Sequence, residues 1–233
     1  MKRIFAVILA ISIALFVSAC DTNGNFTDNE TLNEALIIMS DEFKTTSENF
    51  YSKAEKIAKN MGDTYNGYMD YIDEVYMLYG EISAKSEDIY SRTQNNSIDY
   101  YEMVASFVAL DDESWEDYMR AFDDVCDSSM SSYYDVCYDS LDYIHSECIG
   151  LLKSEFYSDK IDADTYFKET ENLNNLLTET SSKLQDLYLE ATNIIYDEFN
   201  AVYSGFLAGS TNVDENLGNE LFYNESSTID EVD

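Results

Sequence analysis

Apolar positions recur along most of the chain in alternating steps of four and three residues, the spacing of a helix that buries one face. The first stretch runs Leu32, Leu36, Met39, Phe43, Phe50, Ala54, Ala58 and Met61. Gly62 comes next, a residue suited to the left-handed turn that closes helices. Thr31 and Glu34 fit a capping box, in which each side chain serves the other's backbone amide, so this helix is expected from about Thr31 to Met61. A second helix should start at Asp63 or Thr64 and bury Tyr68, Ile72, Val75, Tyr79, Ile82 and Ile89. The polar run Arg92–Ser97 reads as its end, and a third helix begins near Ile98 with Val104, Phe107, Val108 and Leu110. Asp111–Ser114 then reads as a break or kink, with Ser114 placed to cap the next helix and Asp117 at its third position.

From Trp115 the pattern sharpens. Trp115, Met119, Phe122, Cys126, Met130, Tyr133, Cys137, Leu141, Ile144, Cys148, Leu152 and Phe156 repeat with a period of eleven residues. Eleven residues at about 100° each return to within about 20° of the starting face, so these side chains form one stripe. Asp127–Ser132 contains poor helix formers, yet the stripe stays in phase across it. A continuous helix is expected there, with a turn as the alternative. Ser158–Lys160 forms a turn, Asp162 caps the last helix, and Ile161 and Tyr166 sit where a hydrophobic staple would. That helix carries Leu173, Leu177, Thr180, Leu184, Tyr188, Ala191, Ile195, Phe199, Val202 and Phe206 with the same eleven-residue period. Matched periods joined by a short turn place these two helices antiparallel, each on the order of 60 Å long. The expected fold is all-α: an elongated antiparallel bundle of four or five long helices over residues 31–208.

Composition supports long helices. The chain has no proline and only 8 glycines, so it lacks the punctuation of sandwiches and α/β folds. Twenty tyrosines and 12 phenylalanines argue against general disorder. Residues 209–233 carry seven acidic and no basic residues and read as a disordered tail in which Leu221–Tyr223 could dock on the bundle.

The first residues differ in kind. Lys2 and Arg3 precede an apolar run from Ile4 to Val17, interrupted by Ser12 and succeeded by Ser18, Ala19 and Cys20. A charged start, a short apolar run and small residues before a cut make a secretory signal over residues 1–19. The run is shorter than the ~20 apolar residues of a spanning helix. Val17-Ser18-Ala19-Cys20 resembles the lipobox of bacterial lipoproteins. That resemblance implies a diacylglyceryl thioether on Cys20, which becomes the mature N-terminus, and a protein held on the extracytoplasmic face of the cell membrane through that lipid. An ordinary secretory signal cut after Ala19 is the alternative. Residues 20–30 are then the lipidated cysteine and a flexible polar tether.

Losing Lys2 and Arg3 leaves 11 basic residues against 47 acidic, a formal charge of −36. Such a surface repels nucleic acid and anionic head groups, so no nucleic-acid partner is expected.

Candidate chemistry is sparse. There is one histidine, His145, at i, i+3 from Cys148, without a local third ligand or an orienting group, and a histidine at the core edge accounts for it. Asp111–Glu113 with Glu116 and Asp117, and Asp159 with Asp162 and Asp164, could attract Ca²⁺ or Mg²⁺ weakly. Helix caps and a solvated helix face explain them more simply. No catalytic, cofactor or metal-binding residue is assigned. Cys126, Cys137 and Cys148 lie about 16 Å apart along one helix, beyond the ~7 Å of a disulfide, and should stay unpaired as small apolar residues. Tyr71, Tyr134, Tyr138 and Tyr196 fall off the stripes and would form an exposed surface suited to a protein or cationic partner. The leading expectation is therefore a non-enzymatic binding or structural module. The alternative is a lipid-anchored protein that encloses a small molecule or a metal within its bundle.

Overall fold

The computed structural model describes residues 29–106 and 112–209. Among them it contains four α-helices: α1 (Asn29–Met61), α2 (Tyr65–Ser106), α3 (Asp112–Tyr157) and α4 (Ala163–Gly209). The fold is an all-α bundle. No helix of the described residues is long and apolar enough to cross a membrane. The leader, Cys20, the tether up to residue 28 and tail residues 210–233 lie outside the described residues.

Residue pairing gives the direction of each helix. Arg92 of α2 forms a two-pronged ion pair with Glu42 of α1 at 2.7 and 2.8 Å, and Lys53 of α1 meets Glu81 of α2 at 2.6 Å. One partner advances as the other retreats, so α1 and α2 are antiparallel. Cys126 lies 4.0 Å from Met39 and Cys148 lies 3.9 Å from Met61, and both pairs are 87 residues apart. A constant offset makes α1 and α3 parallel. Tyr90 with Tyr188 and Tyr101 with Phe199 make α2 and α4 parallel in the same way. Consecutive helices are thus antiparallel, but the two widest interfaces join the parallel pairs α1/α3 and α2/α4. Among the described residues, α1 and α4 do not pack on each other.

The stripes form the core. Met119, Phe122, Cys126, Met130, Tyr133, Cys137, Leu141, Ile144, Cys148 and Leu152 are all buried along α3. The helix continues through 127–132, as expected, with Ser129 and Met130 buried there. The three cysteines are unpaired and buried. Phe156 leaves the stripe and is half-buried, and Glu155 takes the buried position instead.

Three expectations are corrected. Arg92–Ser97 is not a turn: α2 runs through it to Ser106, and no separate helix begins at Ile98. The reason is hydrogen bonding. Thr93 Oγ1 donates to Ile89 O at 2.9 Å and Ser97 Oγ donates to Gln94 O at 2.7 Å, so small hydroxyl residues continue the buried face without unpaired groups. Secondly, α1 begins at Asn29, which places Thr31 inside the helix, so the capping box does not start it. Thirdly, α3 begins at Asp112, which places Ser114 inside that helix; residues 107–111 lie outside the described residues.

The helix ends at the α1–α2 and α3–α4 turns obey local rules. Gly62 has φ +65° and its N–H donates to Ala58 O at 3.3 Å, a left-handed close of α1. Thr64 Oγ1 accepts the Gly67 N–H at 3.2 Å and caps α2. A Cβ on Gly67 would lie 2.0 Å from Met61 O, so this close approach requires glycine. Asp162 Oδ1 accepts the Thr165 N–H at 2.8 Å, the cap expected for α4. The turns at 62–64 and 158–162 lie at one end of the bundle. The starts of α1 and α3 and the ends of α2 and α4 lie at the other.

Candidate functional site

The tyrosines divide by position. Tyr68, Tyr79, Tyr90, Tyr101 and Tyr133 are fully buried and line the bundle axis. Most of their hydroxyls are satisfied inside it: Tyr79 donates to Leu141 O at 3.0 Å, and Tyr133 shares a 3.0 Å bond with Ser86 Oγ. Burial pushes these phenols well above the ordinary tyrosine range, so they stay neutral. Of the four tyrosines expected on the surface, Tyr138 and Tyr196 are exposed, at 39% and 48%. Tyr71 and Tyr134 are instead half-buried against the core, because they sit at the edges of their stripes.

Tyr134 joins Tyr138 in a stack at 6.4 Å and meets Tyr188 of α4 at 5.3 Å, so an aromatic ridge runs along the α3/α4 side. Its setting is acidic. Between Arg120 and Lys153, α3 has seven acidic and no basic residues. Asp124, Asp127, Asp135, Asp139, Asp142 and Glu147 are all exposed. Three basic side chains pair instead between α1 and α2, in Lys53–Glu81, Lys85–Glu42 and Arg92–Glu42, and Lys183 of α4 pairs with Glu87 of α2.

The end of the bundle that carries the two turns holds a second group. Glu155 is buried; its carboxylate accepts the Tyr65 N–H at 3.0 Å and the Lys160 ammonium at 2.7 Å. These two contacts, Lys160 foremost, hold its pKa below the usual carboxyl range. One side chain therefore ties the start of α2 to the α3–α4 turn. Asp159 in that turn adopts φ 56°, with its N–H on Phe156 O at 3.1 Å and the Lys160 N–H on Glu155 O at 3.0 Å, a complete Schellman close. Around it run four rings in succession: Tyr157 to Phe156 at 5.5 Å, Phe156 to Tyr166 at 4.9 Å, and Tyr166 to Phe167 at 5.3 Å. Tyr157 and Phe167 are 73% and 63% exposed. The sequence pattern alone does not reveal this group. The available signal is a glutamate seven residues after Cys148, in phase with the buried stripe, and two aromatics out of phase with it.

The remaining candidates separate. His145 Nε2 pairs with Asn174 Oδ1 of α4 at 2.9 Å, whereas Cys148 turns inward to Met61, so the two do not converge. Asp162 caps α4 and Asp159 closes α3, so each has a structural task. Asp117 is exposed on α3. Among the described residues no group of three His, Cys, Asp or Glu side chains is placed to hold a metal ion. An open apolar groove between α1 and α2 is lined by Thr46, Asn49, Phe50, Glu81, Ala84 and Lys85.

No protein-family model matches this chain, and neither a curated protein nor a solved structure matches it.

Proposed function

We propose that this chain is an exported lipoprotein, anchored through Cys20 to the extracytoplasmic face of the cell membrane, whose bundle binds a protein or cationic partner and catalyses no reaction. The observation that carries the binding reading is the Tyr134–Tyr138–Tyr188 ridge beside an α3 face that has carboxylates and no cation between Arg120 and Lys153. Tyrosine offers rigid, amphipathic contact area, and a carboxylate surface attracts cations. The leader pattern supports the anchor, since two acyl chains hold a protein on a bilayer far more firmly than one.

The anchor is tested by labelled fatty acid. Wild type should incorporate label and partition with membranes, whereas Cys20→Ser should do neither; an unlabelled wild type removes the lipoprotein reading. The surface is tested by a photo-cross-linking residue at position 138 or 196 in intact cells. A discrete cross-linked species is expected at one of these positions, and its absence at both removes the binding reading.

A further inference from the structure

The most exposed large apolar side chains of the described residues are Tyr157 and Phe167, and both flank the α3–α4 turn. They are joined through Phe156 and Tyr166 into one aromatic surface. Soluble proteins seldom leave contiguous rings uncovered without a use for them.

The rings are held in place before any partner arrives. The Schellman close at Asp159, the Asp162 cap and the Glu155 tie to Tyr65 and Lys160 fix the turn from three directions. A surface fixed in advance loses little freedom on binding, which is what makes a small aromatic patch an effective anchor.

Charge selects the occupant. Asp63, Asp159, Asp162 and Asp164 lie in or beside the two turns, and Asp63 is close enough to act on Lys160. Of the nearby cations, Lys160 is paired with Glu155 and Lys168 with Glu169; Lys59 at the end of α1 and Lys153 one turn before Tyr157 add two more, and with Glu155 and Glu169 the carboxylates still outnumber the cations six to four. A second copy would bring the same aspartates and be repelled. The chain's own tail carries seven acidic and no basic residues and would be repelled too. Anionic head groups meet the same barrier. An arginine-rich protein segment meets none: guanidinium stacks on aromatic faces and forms two-pronged pairs with carboxylates.

Deepening the binding reading above, on which this step rests, we propose that the aromatic turn at Tyr157–Phe167 is the docking surface for a partner segment that presents arginine together with aliphatic side chains.

The test uses the full chain in detergent and a fluorescein-labelled Arg-Leu repeat peptide, monitored by anisotropy at physiological salt. Wild type should bind it. Tyr157→Ala combined with Phe167→Ala should weaken binding at least about tenfold, the scale of losing a hot-spot contact. Both side chains are exposed, and an unchanged helical circular dichroism spectrum verifies the fold. Tyr138→Ala combined with Tyr196→Ala should leave binding unchanged. If the second pair weakens binding and the first does not, the tip proposal is overturned while the acidic, Tyr-rich surface stands. If the peptide does not bind wild type, the tip proposal falls, while the wider binding reading is decided by the cross-linking at positions 138 and 196. Equal binding of an oligo-arginine peptide would overturn the requirement for aliphatic side chains in the partner, and unchanged binding in the Tyr157→Ala, Phe167→Ala variant would overturn the role of the rings. Self-association in sedimentation velocity that disappears in the tip variant would overturn the proposal in favour of a second copy.

Discussion

Two buried tyrosines should respond oppositely to loss of a hydroxyl. Tyr101 is 0% exposed, and its ring meets Phe122 at 5.2 Å and Phe199 at 5.9 Å. Its hydroxyl is buried without a hydrogen-bond partner among the described residues. Burial, with the Asp123 carboxylate nearby, raises its pKa, so the hydroxyl stays protonated and its donor goes unused. Tyr101→Phe keeps the ring contacts and removes a desolvated group that costs about 1–3 kcal/mol. Tyr79 is the control. It is equally buried, but its hydroxyl donates to Leu141 O at 3.0 Å, and Tyr79→Phe forfeits about 0.5–1.5 kcal/mol. For a domain of this size each kcal/mol moves the melting temperature by about 2–4 °C. Thermal unfolding of residues 21–233, monitored by helical circular dichroism, should therefore show Tyr101→Phe melting higher than wild type and Tyr79→Phe lower. If Tyr101→Phe melts as low as Tyr79→Phe, the Tyr101 hydroxyl has a partner and the reasoning is refuted.

Gly67→Ala should destabilise by about 1–3 kcal/mol, because the new Cβ would meet Met61 O at 2.0 Å. Gly80→Ala, where nothing lies within 4 Å, should stabilise by about 0.5–1 kcal/mol, and a denaturant titration of both variants checks the two signs. Burial pushes the thiols of Cys137 and Cys148 up to about 12, and Cys126 also upward, so all three should react slowly with a disulfide reagent when folded and fully in denaturant. The depressed Glu155 carboxyl stabilises the fold above its unfolded pKa, and that contribution is lost as pH falls through its folded value. The melting-temperature gap between wild type and Glu155→Gln should accordingly be widest at neutral pH and close on acidification; a constant gap would show that the Lys160 pairing does not contribute. With 47 acidic residues in the chain, the melting temperature should also rise with NaCl and more steeply with MgCl₂; a flat response would mean the carboxylates are already compensated.

The long apolar repeats are legible because burial in a helix is periodic. The α3 stripe, the Gly62 close and the Asp162 cap all appear in the structure where spacing and local chemistry place them. Arg92–Ser97 is misleading because a hydrophobic pattern cannot register a buried face built from Thr93 and Ser97. Their hydroxyls look like turn residues until their bonds to Ile89 O and Gln94 O are known. The pairing of helices is not legible either. A stripe states which side is buried and not what buries it, so the 87-residue offset between Met39 and Cys126 has no signature in either helix alone. On the surface, Tyr138 and Tyr196 can be found as aromatics out of phase. The aromatic turn cannot, since it depends on Asp159 taking a left-handed conformation and on Glu155 reaching a backbone amide 90 residues away in sequence.

The arrangement of ends gives the proposed anchor a mechanical consequence. Helix α1 begins at the end opposite the two turns, so a lipid on Cys20 would hold the bundle by that end. Helix α3 has 46 residues, which at 1.5 Å per residue spans about 69 Å, several times the ~8 Å screening length at physiological salt. A bundle lying flat would bring its carboxylates within that length of anionic head groups along its whole side. An upright bundle exposes only its base to that repulsion. The same excess charge that costs stability in the compact state would then favour the upright orientation, and the turn with Tyr157 and Phe167 is the part it would hold farthest from the bilayer.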